Sequence, residues 1–506
     1  MPERYFVGVD GGTESLRAAV FDARGTVLGS ATTAYKTTFP KPSWAEQNPE
    51  DWWQALGSSV NAAVSSSRIQ PSEIAAICLD TTCCSVVALD ANGRHVRPAL
   101  IWMDIRASQE AMRISSCGDE ALRLNGYGSV SAEWMAAKAL WLLENEPANF
   151  ERAKFVCEYQ DYLNHRLTGR MTGSLNNVSI RWHYDAARGG FQKFLFEKVG
   201  LTALLEKFPT EIIAMGDKIG NLTNTAAEHL GLNSSTLVVQ GGADAFVAMI
   251  GLGVVEPGKL AFITGSSHLH LGLSAKPFHA KGLWGTYPDA VIKGLHTVEG
   301  GQTSTGSVIA WLQRLLGDID LEMLNQKAAQ LRPGADGLVV LEHFQGNRTP
   351  HTDPNSRGVI SGLTLKHGSE HLFRAVIEGV AFGTEDIFAT MRGAGYVPNE
   401  FIMCGGATRS DLWMQIHADV SGVPITLTQS PDAAMLGSGI LATVGAGVYS
   451  SIPEACEQMV RHSRVIEPNL ERHEAYKPLL EAYRATYANL KSTLHAQAAL
   501  ARGEGS

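Results

Sequence analysis

The chain has 506 residues, which is too long for one ordinary core and predicts two large domains. Hydrophobic residues make up 44% and charged residues 18% of the sequence, a balance typical of a folded globular protein. The net charge is −9 and there is no run of basic residues, so nucleic acid and acidic membrane surfaces are poor partner candidates.

The first residues and the cysteines indicate the compartment. The sequence goes straight into a predicted strand, without the basic and then apolar residues of a signal segment. The longest weakly charged stretch carries Asp244 and several glycines, which argues against a membrane span. The cysteines have no metal-type spacing, and the adjacent pair Cys83 and Cys84 suits neither an easy disulfide nor a zinc site. We therefore expect a reduced, cytoplasmic protein.

The first predicted elements are three strands in a meander, over residues 5–10, 15–21 and 27–35. The turn between the first two strands is Asp10-Gly11-Gly12-Thr13. It offers free backbone N–H groups, a hydroxyl and a carboxylate, which are the groups needed to hold a phosphate and its magnesium ion. An ordinary hairpin turn also favours Asp and Gly, so this turn alone does not establish a phosphate site.

Further along the first half, predicted strands end in polar segments. The strand 74–79 ends at Asp80-Thr81-Thr82-Cys83. A short strand is predicted over 101–106, with Asp104 and Arg106 at its end. Helices are predicted after Glu133 and over residues 160–167, and residues 169–190 are polar and predicted to form a loop.

A single carboxylate, Asp244, lies in a long apolar run just after two glycines. Residues 237–240 predict a strand and 245–250 the start of a packed helix, so Asp244 lies where the backbone comes close to a ligand. An unpaired buried charge is too costly, and the carboxylate must therefore be paired, metal-bound or functional. The simplest structural alternative is a helix N-cap.

The pattern of the opening meander begins again after Asp244. A strand over 259–264, the turn Gly265-Ser266-Ser267 and a returning strand over 268–274 indicate an internal duplication. Gly300-Gly301-Gln302 is predicted to open a helix. A strand over 401–404 leads into a glycine-rich loop at 405–410, and the next helix has its positive end at that loop. The amphipathic tail predicts a helix that docks on its own domain.

Three glycine-rich loops, with an Asp after a strand at the midpoint, resemble the actin-like ATPase superfamily, in which two related domains clamp a nucleotide in their cleft. Within it the whole chain is similar to the FGGY carbohydrate kinase family, most closely its ribulokinase-like, pentulose kinase branch. The segments that carry the resemblance are residues 9–13 with Arg17, 43–53, 241–253, 264–267, 405–410 and 436–439. Since they run across most of the chain, the resemblance is specific.

The resemblance implies an α/β fold of two actin-like (ribonuclease H-like) domains with a nucleotide- and sugar-binding cleft between them. Residues 1–254 would form the N-terminal domain, which binds the sugar and carries the catalytic base. Residues 255–506 would form the C-terminal, nucleotide-binding domain. The expected cofactors are ATP and Mg²⁺, and the expected partner is a small sugar or polyol. A homodimer is left open.

The resemblance also implies roles for individual residues. Asp244 takes the position of the catalytic base, which a sugar hydroxyl needs because it attacks phosphorus poorly while it keeps its proton. Asp10 takes the position of the magnesium ligand, with Asp244 also at the metal. The positions that would bind the cofactor are Gly11, Gly12, Thr13, Arg17, Gly265, Ser266, Gly306, Gly405, Gly406, Ala407 and Ser410. The positions that would bind the substrate are Thr82, Cys83, Asp104, Arg106, Glu133, Arg181, Asp244 and Glu299.

Two of the sugar-side residues depart from the ribulokinase pattern. Arg181 stands where relatives tend to have Lys, and Cys83 stands where L-ribulokinases tend to have Ala. Arg and Lys differ in donor geometry, so the identity of the sugar is open. The alternatives to substrate binding are a surface salt bridge for Asp104 and Arg106 and a capping carboxylate for Glu133.

The expected function is ATP-dependent phosphorylation of a terminal hydroxyl of a ketopentose, with D- or L-ribulose leading. The alternatives are a kinase of ribitol, xylulose, erythritol or glycerol, a sensor that binds ATP and sugar without turnover, and a phosphohydrolase on the same fold. A sensor need not keep both Asp10 and Asp244, and water as acceptor would not require the sugar-side segments.

Overall fold

The computed structural model describes residues 4–128 and 130–502. Strands in the first half of the chain are β1 (Tyr5–Gly11), β2 (Ser15–Phe21), β3 (Val27–Ala34), β4 (Glu46–Gln47), β5 (Ile74–Thr81), β6 (Val87–Leu89), β7 (Ala99–Leu100), β8 (Phe155–Cys157), β9 (Thr172–Ser174), β10 (Tyr184–Asp185), β11 (Gly190–Phe191), β12 (Glu211–Ile213), β13 (Lys218–Asn221) and β14 (Leu237–Val239). Its α-helices are α1 (Pro49–Ser67), α2 (Ser108–Ser116), α3 (Met135–Asn145), α4 (Pro147–Arg152), α5 (Tyr159–Thr168), α6 (Leu175–Arg181), α7 (Lys193–Lys198), α8 (Asn224–Leu230) and α9 (Asp244–Gly251).

The second half continues the same alternation. Its strands are β15 (Lys259–Thr264), β16 (His268–Ser274), β17 (Trp284–Pro288), β18 (His296–Gln302), β19 (Val339–Leu341), β20 (Val359–Ser361), β21 (Glu400–Gly405), β22 (Ile425–Thr428) and β23 (His462–Ile466). Its α-helices are α10 (Gly306–Leu315), α11 (Leu321–Ala329), α12 (Ser369–Gly393), α13 (Asp411–Ser421), α14 (Ala433–Gly445), α15 (Ile452–Met459) and α16 (Leu470–Ala501). Short 3₁₀ helices cover Pro71–Glu73, Glu120–Asn125, Ala186–Arg188, Thr202–Glu206, Ala335–Gly337 and Gly406–Arg409.

The first half is built on a six-stranded sheet in the order β13-β14-β5-β1-β2-β3. Strands β1, β5 and β14 are parallel, and the other neighbours are antiparallel. Alternate residues of β1 enter different cores: Phe6 packs in one core with residues of α9 and α14, and Val7 and Val9 pack in another with residues of α1. Both faces of the sheet are therefore covered, which explains why β1 is buried at every residue.

The second half repeats this sheet. Its seven strands lie in the order β17-β18-β16-β15-β21-β22-β23. The meander β15, β16 and β18 corresponds to β1, β2 and β3, and the parallel neighbours β21 and β22 correspond to β5 and β14. An antiparallel strand, β13 or β23, completes the parallel edge of each sheet. The duplication and the actin-like two-domain α/β fold predicted from the sequence are confirmed.

Helix α14 belongs to the second half in sequence but packs on the first. It contacts α9, β1 and β5. The approach is close: a Cβ at Gly251 of α9 would lie 1.8 Å from the Ala433 carbonyl oxygen, and one at Gly437 of α14 would lie 2.1 Å from the Val247 carbonyl oxygen. Small residues on both helices are thus required for this contact, and the two halves of the chain interlock here.

The sequence predictions of the local elements differ from the structure in three places. Gly300-Gly301-Gln302 does not open a helix; it ends strand β18, which is held between β16 and β17, and the helix starts at Gly306. The predicted strand 101–106 is a turn after β7, and the predicted loop 169–190 contains α6. At residues 300–302, pairing with β16 and β17 outweighs the local pattern.

The tail helix α16 buries Tyr476, Leu480, Tyr483 and Leu494 in a core shared with α12, which confirms that it docks on the second half. No helix within residues 4–128 and 130–502 is long and apolar enough to cross a membrane.

Candidate active site

Three aspartates lie at the carboxyl ends of the neighbouring parallel strands of the first sheet. Asp10 is paired in register with Asp80 of β5, and Asp244 begins α9 directly after β14. Open α/β sheets bind ligands outside the carboxyl ends of their parallel strands. The Asp244 side chain does not cap its helix, because the N-cap position is Ala243. The simplest structural explanation of Asp244 therefore does not apply.

A fourth aspartate and an arginine complete this cluster. Arg17, opposite Asp10 on β2, forms ion pairs with both Asp10 and Asp432, the residue before α14. Asp80 is completely buried and accepts a hydrogen bond from the Ser438 hydroxyl at 2.7 Å, while its other carboxylate oxygen has no partner among the described residues. Neither Asp80 nor Asp432 was among the predicted site residues.

Burial makes Asp244 a stronger base than an ordinary carboxylate. It raises the pKa of Asp244 to about 7, and the charge of Asp10 acts in the same direction. The Ala245 N–H, which donates to Asp244 at 2.7 Å, and the charges of Arg181 and Arg17 oppose this rise in the pKa. A base with a pKa near the working pH is well matched to accepting a proton from a hydroxyl.

The donor set suits Mg²⁺. Carboxylate oxygens are hard ligands, and the buried oxygen of Asp80 that has no partner lies in the same cluster. In the part of the chain that the structure describes, no group of three or more His, Cys, Asp or Glu side chains forms a ready-made metal cage. Mg²⁺ normally keeps several waters and takes one or two carboxylates together with phosphate oxygens, so an open set of this kind fits the ion.

The hairpin tip at residues 11–13 is held in place by neighbouring side chains. The Gln47 side chain donates to the Thr13 carbonyl at 2.6 Å, and the Trp102 indole donates to the Thr13 hydroxyl at 2.9 Å. Tyr35 donates to the Gly12 carbonyl. A Cβ at Gly11 would lie only 3.0 Å from Tyr159 and Thr81 side-chain atoms, so this position has no room for a larger residue.

The glycine loops of the second half surround a cavity of about 370 Å³. A Cβ at Gly306 would lie 2.4 Å from the Gly265 carbonyl oxygen, and Gly405 has a φ of 96° with a Cβ position 1.9 Å from the Thr264 carbonyl oxygen. The Ser266 carbonyl accepts N–H groups from Thr305 and Ser307. The cavity wall includes the predicted residues Gly265, Gly306, Gly406, Ala407 and Ser410.

Helix α13 begins at this cavity. Ser410 is its N-cap, accepting the Trp413 N–H at 3.1 Å and donating to the Asn325 side chain at 2.8 Å. The positive end of the helix therefore faces the loop, as predicted. Asn325, His268 and Trp413 also line the cavity and were missed from the sequence, because they come from separate elements without a local motif.

Two of the residues predicted to bind the sugar, Arg181 and Glu299, meet across the two halves. Arg181, the last residue of α6, donates to the two Glu299 oxygens at 2.9 and 2.8 Å, and Arg348 forms a second ion pair with the same carboxylate. Burial alone would raise the pKa of Glu299, yet the two arginine charges hold it below its ordinary value. The Arg348 guanidinium lies 3.6 Å from the centre of the Trp284 ring.

The turn that carries Cys83 is held next to Arg181 by buried charges. Glu158 accepts the backbone N–H groups of Cys84 and Ser85 at 3.1 and 2.9 Å, and Lys138 donates to the Cys84 carbonyl at 2.8 Å. The adjacent Cys84 thiol and burial raise the pKa of Cys83 well above its usual range, so the thiol is neutral. Thr82, whose N–H donates to the Gly11 carbonyl at 2.9 Å, joins this turn to the hairpin.

Asp104 and Arg106 form a buried ion pair with each other. Both side chains are fully buried, with Arg106 donating to Asp104 and Glu46 at 2.7 Å and its guanidinium 3.6 Å from the centre of the Trp44 ring. They form an ion pair as in the structural alternative, although it is buried and not at the surface. Glu133 is half-buried next to Trp134, which lies beside Arg181 and Trp284.

Comparison with known proteins places this geometry in a family. The N-terminal domain model of the FGGY family of carbohydrate kinases matches residues 5–251, and the C-terminal domain model matches residues 260–446. A "FGGY carbohydrate kinase domain-containing protein" of Xenopus laevis is 32% identical, covering 95% of this chain and 96% of its own length. A ribulokinase of Shouchella clausii is also 32% identical, covering 95% and 94%.

A solved structure agrees with these sequence matches. The crystal structure of xylulose kinase from Rhodospirillum rubrum is 28% identical, with a TM-score of 0.88 that covers 97% of this chain and 100% of that one. The duplicated fold and the cleft residues define a kinase of the actin-like class. The chain belongs to the FGGY family of carbohydrate kinases. It is a sugar phosphotransferase that uses ATP with Mg²⁺.

Proposed function

We propose that this sugar kinase phosphorylates a terminal hydroxyl of a ketopentose, with D- or L-ribulose as the leading candidates. The observation that carries the proposal is the contact of Arg181 with Glu299 beside Cys83, within electrostatic reach of Asp244. It supplies a fixed guanidinium for a carbonyl oxygen and an acceptor for a hydroxyl, close to the base. The ribulokinase of Shouchella clausii, similar over nearly the whole chain, supports the same substrate class.

In this proposal Asp244 accepts the proton of the sugar hydroxyl as that oxygen bonds to the terminal phosphorus of ATP, while the bond from this phosphorus to the bridging oxygen breaks and ADP leaves. When bound, magnesium supplies charge neutralisation of the phosphates, with Asp10 as its protein ligand and Asp244 nearby. Gly11, Gly12, Thr13 and Arg17 hold the transferring phosphoryl group. The residues proposed to hold the rest of the nucleotide are Gly265, Ser266, Gly306, Gly405, Gly406, Ala407 and Ser410.

The residues proposed to contact the sugar are Thr82, Cys83, Glu133, Arg181 and Glu299, and we add Arg348. A carboxylate has about four acceptor positions, and Arg181 and Arg348 together take three positions on Glu299. Glu299 therefore keeps one acceptor position that a sugar hydroxyl could use. We assign Asp104 and Arg106 a supporting role, because their buried pair holds the turn that carries Trp102.

The domain boundary is part of the same proposal. Residues 1–254 carry the base and sugar residues, and residues 255–506 carry the nucleotide cavity, Glu299 and Arg348. Sugar recognition would then use both domains, since Arg181 and Glu299 lie on opposite sides of the boundary.

The test is ADP release from the purified protein with Mg-ATP against D- and L-ribulose, D- and L-xylulose, ribitol, erythritol and glycerol. We expect selective stimulation by a ribulose. Arg181→Lys should raise the KM for that sugar by ~10-fold or more, because the two-pronged contact with Glu299 is lost. Arg188→Lys is the matched control, since Arg188 pairs with Glu120 at the surface. Selective stimulation by a polyol would contradict the ketopentose assignment.

A xylulose kinase is the second candidate, favoured by the similarity to the Rhodospirillum rubrum enzyme. The same panel separates the two candidates, because it contains both sugars. They differ only in configuration at one carbon. A kcat/KM for xylulose that exceeds the value for ribulose would favour this candidate.

A further inference from the structure

Arg17 is held from both halves of the chain. Its guanidinium pairs with Asp10, which lies opposite Arg17 on the neighbouring strand β1, and with Asp432, which comes from the second half of the chain. Arg17 is one of the residues proposed to hold the transferring phosphoryl group, and 42% of its side chain is exposed. Asp432 thus contacts a residue at the centre of the site although it lies far away in sequence.

Asp432 has two separate contacts, one for each carboxylate oxygen. Oδ1 accepts the Met435 N–H at 3.1 Å and caps helix α14, while Oδ2 pairs with Arg17. The cap fixes where this carboxylate lies relative to the helix, and the helix in turn is packed against α9, β1 and β5. The orientation of Arg17 is therefore linked to a rigid element.

Asp432 lies where the chain passes from the second sheet to the first. Residues 429–432 lead from β22, a strand of the second sheet, to α14, which packs on the first sheet. Asp432 lies at the end of that crossing. The Asp432 carboxylate therefore belongs to a helix that comes from the second half of the sequence but is seated on the first sheet, beside Arg17.

Asp10 and Asp432 are not equivalent partners for Arg17. Asp10 is the proposed magnesium ligand, and a cation on its carboxylate would weaken the attraction between Asp10 and the Arg17 guanidinium. Among the contacts of the described residues, Asp432 is the other carboxylate that pairs with Arg17.

We propose that Asp432 is a positioning residue for phosphoryl transfer: from the start of α14 it holds Arg17 toward the terminal phosphate, so that the orientation of Arg17 depends on how α14 is seated on the first sheet. The inference rests on the proposed role of Arg17 in the kinase reaction. Asp432 itself contacts neither sugar nor nucleotide in this assignment and acts through Arg17.

Asp432→Asn is a suitable test because Asn is as good an N-cap as Asp, so the helix keeps its start while the ion pair is lost. We expect kcat to fall by ~10- to 100-fold with little change in the KM for the sugar, as for the loss of one charge-stabilising group. Asp432→Glu should restore part of the rate. Asp119→Asn is the matched control, because Asp119 also caps a helical segment and pairs with Lys198.

A double-mutant cycle separates this role from a structural one. In an Arg17→Met background, Asp432→Asn should cause no further loss of kcat, since the residue through which it acts is gone. Losses that multiply would overturn the proposal, as would a wild-type kcat in Asp432→Asn. Thermal unfolding of all variants shows whether any loss comes from unfolding.

Nucleotide binding provides a readout that does not need turnover. Calorimetric titration with Mg²⁺ and either ADP or a non-hydrolysable ATP analogue measures the preference for a terminal phosphate. Asp432→Asn and Arg17→Met should each reduce that preference by ~10-fold, and the double variant by no more. An unchanged preference would overturn the role of Asp432. Absence of sugar phosphorylation by the wild type, with the preference intact, would instead overturn the proposed function alone.

Discussion

Asp244, the proposed base, combines burial with nearby positive charge. Burial raises its pKa to about 7, and Arg181 and Arg17 keep the pKa from rising further. The Asp244 carboxylate is therefore partly ionised near neutral pH, and in that form it can accept the proton of the sugar hydroxyl. An exposed aspartate, with a pKa near 4, would be a poorer proton acceptor.

Asp244→Asn should lower kcat by ~10²- to 10⁴-fold, because the amide cannot accept the hydroxyl proton. The Kd of Mg-ADP, measured by calorimetry, should change little, since the nucleotide cavity lies among residues of the second half. Turnover close to that of the wild type would show that another group is the base.

The pH dependence follows from the same carboxylate. Because the pKa of Asp244 is raised to about 7, the group is protonated below that pH and cannot act as a base. We expect kcat/KM for the sugar to fall as the pH drops through ~7, with a slope of one proton. A profile that is flat between pH 5 and 8 would contradict the assignment.

At the scale of elements, the contact between α9 and α14 depends on glycine. A Cβ at Gly437 would lie 2.1 Å from the Val247 carbonyl oxygen, and backbone atoms on both sides cannot move aside separately. The helices approach closely because α14 has no side chain at this point.

Gly437→Ala should lower the free energy of unfolding by ~1–3 kcal/mol, the usual cost of overpacking, and lower the Tm. Gly393→Ala is the matched control, because Gly393 lies at the end of helix α12 with no atom within 4 Å of its Cβ position. That variant should keep or slightly raise the Tm. Equal Tm changes in both variants would show that the close contact is not what decides stability here.

The strand boundaries differ in how well they can be predicted from the sequence. The strands Ser15–Phe21, Lys259–Thr264 and His268–Ser274 match the predictions at both ends, because alternating burial and turn residues are local signals. Gly300 and Gly301 were assigned to a helix start but end strand β18, since their pairing with β16 and β17 is not visible locally.

The candidate site was predictable where it is formed by loops and not where it is formed by the approach of distant elements. The turns at Asp10 and Gly405 carry recognisable glycines, and Asp244 stands out in an apolar run. Arg348 and Asp432 have no such motif: Arg348 joins the site through its ion pair with Glu299, and Asp432 joins it because α14 packs on the first half of the chain.

At the scale of the whole molecule, the pair of Arg181 and Glu299 joins the halves. Glu299→Gln removes the negative charge between two arginines, one of which is nearly fully buried. Leaving a buried charge unpaired is strongly destabilising. We expect a lower Tm and a KM for the sugar raised by ~10-fold or more, measured by thermal unfolding and by ADP release.

A second variant distinguishes charge from packing in this prediction. Arg348→Met removes one of the two arginines and leaves Arg181 paired with Glu299. Combined with Glu299→Gln it should recover part of the lost Tm, because fewer like charges remain together. A double variant less stable than Glu299→Gln alone would mean that Arg348 stabilises by packing on Trp284.

The crossing of α14 has a consequence for the order in which the molecule is made. During synthesis the N-terminal sheet emerges first, but the face with Phe6 and Phe21 keeps its apolar side chains exposed until residues 433–445 leave the ribosome. Chains of this size form folding intermediates with exposed apolar surface, which are prone to aggregate until such a partner element is made. The core of the first half is thus completed by a helix from late in the chain. A fragment that stops at residue 254 lacks the helix that covers this face of its sheet.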